Sequence, residues 1–164
     1  MLSPNSHAVK CFKLQNETWT LLNSSLNYVH NYASVISMTK GTYLLGGYLY
    51  NSLSSEILAH YKDKWQVGPH IPEPGLEKGC GVRISDNEFM IIGGEGSKTQ
   101  VLKYALDDNR WYKTSVQLIE EREQHCCIVF NGKVIVTGGF VRGSNVLSST
   151  EIIDLSKYSY SFSK

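Results

Sequence analysis

Short apolar runs closed by paired glycines recur along this chain. Thr42-Tyr43-Leu44-Leu45 precedes Gly46-Gly47, Glu88-Phe89-Met90-Ile91-Ile92 precedes Gly93-Gly94, and Lys133-Val134-Ile135-Val136-Thr137 precedes Gly138-Gly139. The length of these runs and their β-branched or aromatic content are those of buried strands. The doublets are 47 and then 45 residues apart. A second feature keeps the same time: a bulky apolar residue followed seven positions later by a large aromatic. Phe12 leads to Trp19, Leu58 to Trp65, Tyr104 to Trp111 and Ile153 to Tyr160. Turn formers lie between the two members of each pair, at Gln15-Asn16-Glu17, Tyr61 to Lys64, Asp107-Asp108-Asn109 and Ser156-Lys157, so each pair reads as a hairpin.

Upstream of each doublet lies a further strand, Tyr32 to Met38, Cys80 to Ser85 and His125 to Phe130, joined to the next by Lys40-Gly41, Asp86-Asn87 or Asn131-Gly132. Asn-Gly is the strongest of these hairpin signals. Four short antiparallel strands per period of about 46 residues is the length of one propeller blade. No segment sustains helical apolar spacing over ten residues; Leu118 to Arg122 is the nearest and is too short to change the class. The pattern predicts an all-β chain of about three and a half blades: a half blade over 1–28, then blades over 29–73, 74–119 and 120–164.

These residues resemble the kelch repeat family, whose pattern is a hydrophobic strand ending in Gly-Gly, a Glu-x-Tyr-like strand and a spaced Trp. Ile91-Ile92-Gly93-Gly94 with Tyr104 and Trp111 is the best-matching unit, and Glu56 and Glu151 take the acidic position two residues before Leu58 and Ile153. The chain departs from the pattern at Leu58 and Ile153 in place of Tyr, at Tyr160 in place of Trp, and at Leu102 where Glu would sit. The resemblance implies an architectural role for Gly46, Gly47, Gly93, Gly94, Gly138, Gly139, Tyr104, Trp19, Trp65 and Trp111. The glycines let the backbone turn without a Cβ clash, and each Trp fills the wedge between neighbouring blades. A kelch ring commonly has six blades, so the count implies a fragment of a longer product, with two copies closing a seven-blade ring as the other outcome.

Partner contacts in this family come from loops on one face of the ring, those after each doublet and those between blades. Carried over, the position after the doublet is Tyr48, Glu95 and Phe140, and the position fifteen before its first glycine is Asn31, Lys78 and Glu123. His30, Glu77 and Arg122 lie one residue earlier, and Arg122 and Arg142 are expected to meet an acidic partner segment. Aromatic side chains at loop bases offer large contact area at low entropic cost, which singles out Tyr48 and Phe140. The implied function is a protein-protein interaction module, such as the substrate-recognition region of a cullin-type ubiquitin ligase adaptor, although no BTB, BACK or F-box segment is visible. An actin-binding or structural kelch protein and a fragment of a secreted kelch-type oxidase are the competing readings.

Composition trims these options. Sixteen Lys plus Arg against fifteen Asp plus Glu give a net charge of +1, with no basic concentration to attract nucleic acid. No apolar run reaches the 18 to 20 residues of a membrane-spanning helix. Cys11, Cys80, Cys126 and Cys127 lack Cys-x-x-Cys spacing and read as small buried apolar residues, which together with the absent signal core suggests a cytoplasmic setting. The sequons at Asn16 and Asn23 arise often by chance. His125, near Glu120, Glu121, Glu123 and Cys126, has no nucleophile elbow or ligand spacing beside it, so neither catalysis nor a metal or other cofactor is expected.

Overall fold

The computed structural model describes residues 10–47, 53–59, 62, 64–143 and 146–157. Its strands form four antiparallel meanders. β1 (Lys10–Gln15) and β2 (Thr18–Ser25) make a lone hairpin. The next sheet comprises β3 (Ser34–Met38), β4 (Gly41–Leu45), β5 (Ser55–Ala59) and β6 (Trp65–Val67). The third comprises β7 (Cys80–Arg83), β8 (Glu88–Gly94), β9 (Lys98–Ala105) and β10 (Arg110–Gln117). β11 (Cys126–Phe130), β12 (Lys133–Thr137) and β13 (Thr150–Asp154) form the last, before a 3-10 turn at Leu155–Lys157. The strand expected around Tyr160 lies outside the described residues.

The three larger sheets are the blades, and β3, β7 and β11 are the edge strands through which neighbouring blades touch. Strand periodicity explains the cores. In β8, Phe89 and Ile91 face the preceding blade and join Ile36, Met38, Tyr43, Leu45, Leu102 and Tyr104 in one cluster. The alternate residues Met90 and Ile92 face the following blade with Val82, Val101, Val134, Val136 and Ile153. The middle blade is therefore apolar on both faces, which is why its second strand reads as an unbroken hydrophobic run.

The seven-residue rhythm is a cross-strand pairing: Leu58 lies opposite Trp65, and Tyr104 opposite Trp111. Trp111 does fill a wedge, its ring centroid 4.9 Å from that of Tyr104 and edge-on to Phe89 at 5.6 Å, with Tyr43 of the previous blade 5.3 Å from Phe89. Trp19 does not. Asn16 and Glu17 close the first hairpin as a two-residue turn with φ of 49° and 61°, so Trp19 pairs with Leu14, Phe12 pairs with Leu21, and Trp19 is 66% exposed. Two left-handed residues match the twist of the flanking strands and shorten the loop relative to the later hairpins.

The first glycine doublet answers to its neighbour as much as to its own turn. A Cβ on Gly46 (φ +73°) would lie 1.9 Å from the Leu76 carbonyl oxygen, because the segment leading from its own blade to the next presses on it. That segment is bonded there: Gly47 N–H donates to Leu76 O at 2.9 Å, and one repeat later Gly94 N–H donates to Arg122 O at 2.9 Å.

The cysteines depart from expectation. Cys80 on β7 and Cys127 on β11 form a disulfide between adjacent blades, with Cα atoms 6.0 Å apart, while the neighbouring Cys126 is exposed and outside that bond. The two bonded cysteines are one repeat apart, so the propeller sets their strands side by side at disulfide distance. At the preceding seam, where β3 meets β7, the tie is a hydrogen bond from Ser34 Oγ to Gly79 O at 2.9 Å.

Candidate partner-binding face

Each segment linking two blades must hold its peptide groups without help from a sheet. Glu56 supplies the acceptors in the first full blade: its carboxylate takes N–H bonds from Asn27 and Tyr28 at 3.0 and 2.9 Å and lies 3.1 Å from His30 Nε2. Glu151 repeats the arrangement, accepting from Ile119 and Glu120 N–H and from the Arg122 guanidinium at 2.8 Å. The equivalent residues in the middle blade are Pro74, Leu76 and Leu102. Proline has no N–H to satisfy, and Leu76 and Leu102 are buried in one cluster. The absent acid at Leu102 is thus matched by the loss of one of the two main-chain donors, at Pro74, and of the cation, at Leu76.

Arg122 was expected at the partner surface and is instead a structural cation. Its side chain is fully buried, held by Glu151, by Glu120 at 3.2 Å and by the Gly138 carbonyl at 2.8 Å. A guanidinium so enclosed is committed to its own blade.

The counting from the doublets also needs adjustment. Tyr32, Lys78 and Gln124 are evenly spaced and share left-handed backbone, with φ of 58°, 56° and 54°. They are chained through the main chain, Lys78 N–H to Tyr32 O at 3.2 Å and Gln124 N–H to Lys78 O at 2.6 Å. Lys78 was identified by counting; Asn31 and Glu123 are each one residue off the row. The slip arises in the β7–β8 connection, where Ile84 still bonds Glu88 across a turn one residue longer than those of β3–β4 and β11–β12. Three equivalent non-glycine residues at positive φ, visible only with coordinates, mark a constrained row of the kind that collects at functional sites.

Beside this row the charged side chains converge. Lys78 bonds Glu95 across the loop, lies 3.7 Å from Glu77 and 3.9 Å from Glu123, and sits over the Tyr32 ring at 5.7 Å. Arg142 reaches Glu95 from the next blade. The bond to Lys78 holds the Glu95 carboxyl below its ordinary range, whereas burial, then the charge of Glu95, raises that of Glu77. The bond to Glu95 holds Lys78 above its ordinary value. Glu95, Glu121, Glu123, Phe140 and Arg142 line a cleft of about 240 Å³. Half-buried Phe140 is placed there by paired main-chain bonds with Glu123, both 3.0 Å. Asn31 is exposed nearby in sequence, and Tyr48 lies outside the described residues.

His125 is shut in behind the cleft, 7% exposed, where a Cβ on Gly93 would come within 3.0 Å of its Cε1 and one on Gly139 within 2.9 Å of its Cβ. Burial, and then the Arg122 charge, push its pKa down to about 4. It is a neutral packing residue at physiological pH.

A family model described as the kelch motif matches residues 121–162. This segment is a kelch repeat. The matched kelch unit contains the Glu151 clamp, the third doublet and Gln124 of the left-handed row; both blades before it repeat the doublet and the left-handed residue, and the first of them also repeats the clamp. The whole is a partial kelch-type β-propeller. No curated protein matches the chain. Among the described residues, no helix is long and apolar enough to cross a membrane.

Proposed function

We propose that this kelch chain is a protein-interaction module whose contact face is the row Tyr32, Lys78 and Gln124 together with the adjoining cleft at Glu95, Phe140 and Arg142. The observation that carries the reading is the left-handed row: three linkers are bonded main chain to main chain, which fixes their backbone and leaves the side chains to specify a partner. Kelch repeats generally mediate contacts between proteins. The enclosed, neutral state of His125 favours binding over catalysis at this face.

The finer reading is a substrate-recognition region within a cullin-type ubiquitin ligase adaptor, and it rests on the kelch resemblance alone. Affinity capture from cells with the full-length protein, followed by cross-linking mass spectrometry, tests both levels. Cross-links from Lys78, and loss of the same partner on Tyr32→Ala or Phe140→Ala, support the face; retention of the partner by both variants removes it. Co-purification of a cullin supports the adaptor role. A stoichiometric partner without any cullin leaves an interaction module of another kind, such as a cytoskeletal one.

A further inference from the structure

The interaction reading leaves open which chemistry the cleft takes, and the arrangement of its charges answers that. Four carboxylates, Glu77, Glu95, Glu121 and Glu123, meet two ammonium groups, Lys78 and Lys98, at this face, on a chain whose net charge is +1. The Glu123 side chain is only 6% exposed, yet its Oε2 accepts no hydrogen bond and meets the Lys78 ammonium at 3.9 Å, beyond bonding distance. A buried carboxylate oxygen without a donor is costly, and Glu123 is one of the residues that line the cleft.

Arg142 shows what such a wall attracts. Its guanidinium leans in from the loop end of the last blade to bond Glu95, while its side chain remains 79% exposed and so contributes little to holding the fold. Phe140 lines the same cleft, and a guanidinium stacks on an aromatic face while its planar fork engages carboxylates. At about 240 Å³ the cleft is below the range of small-molecule cofactor sites and suits a single large side chain.

We propose that the cleft receives an arginine side chain of a partner polypeptide, seated between Glu95 and Glu123 against Phe140, and that Arg142 is its intramolecular stand-in, displaced on binding. This rests on the interaction reading and reverses the sign of the partner expected from Arg142 alone. An acidic segment would have to approach Glu95 and Glu123 at close range; a guanidinium supplies the donor that Glu123 lacks.

The test is selection by the full chain from a capped nine-residue peptide library with one fixed position in turn Arg, Lys, Asp, Glu or Leu, followed by titration of the best peptide against variants. Wild type enriches Arg most. Glu123→Gln and Glu95→Gln weaken the Arg peptide at least tenfold, with unfolding midpoints showing both variants folded. Arg142→Ala tightens it about threefold, the effect of removing a competing exposed ion pair. Enrichment of Asp or Glu, or weaker binding by Arg142→Ala, overturns the arginine proposal and leaves the interaction face standing. Selection of no peptide class at all overturns both, and binding that is unchanged in Glu123→Gln and Glu95→Gln moves the site elsewhere.

Discussion

At the residue scale the linkage of His125 to pH is the sharpest consequence. Its pKa is about 4 in the fold against 6.5 for the unfolded chain, so between these values the unfolded state binds the extra proton. Stability is fully present above pH 6.5 and falls as pH drops toward 4, by on the order of 3 kcal/mol from this group. Urea unfolding at pH 7 and pH 4.5 measures the loss, and His125→Gln flattens that slope. The sequence drew attention to His125 through its acidic neighbours, but its confinement between Gly93 and Gly139 was not legible, because those glycines are far from it along the chain.

The clamps of the linkers belong to the scale of the element. Leu102→Glu restores the kelch acid in a blade whose linker has Pro74 and Leu76 in place of a donor and a cation, so it buries a carboxylate without that donor or cation. A cost of about 3 kcal/mol or more in chemical denaturation is expected. The converse holds for the glycines. Gly46→Ala drives a Cβ into the Leu76 carbonyl and should cost at least about 3 kcal/mol, whereas Gly138→Ala meets only the Leu147 oxygen at 4.0 Å and should cost about 1 kcal/mol, for its positive φ. Equal losses at the two sites would show that conformation, not the neighbouring blade, sets the requirement. The strands and their doublets were readable because a period-2 apolar run and a glycine pair are local signals. The compensation at Leu102 was not, since it joins residues 26 to 28 positions apart whose equivalence appears only when the blades are superposed.

For the whole molecule, the propeller itself followed from two rhythms keeping one period, while its seams did not. Cys80 and Cys127 look unrelated in a search for close cysteine spacing; they become partners once β7 and β11 stand side by side. Cys127→Ser should lower stability by about 2–4 kcal/mol, the range for losing a cross-link that closes a loop of this size. Alkylation before and after reduction, read by peptide mass, shows directly whether the bond is present: under non-reducing conditions Cys126 is labelled and Cys127 is protected. Such bonds persist chiefly in oxidising surroundings, which sets this seam against the cytoplasmic setting expected from the sequence.

The chain of amide contacts through Tyr32, Lys78 and Gln124 uses no side-chain atom. Substitution at these three sites would therefore change the side chains that the proposed contact face presents while leaving the main-chain tie between its linkers in place. Related sequences could vary the exposed chemistry of this row without first solving a new folding problem.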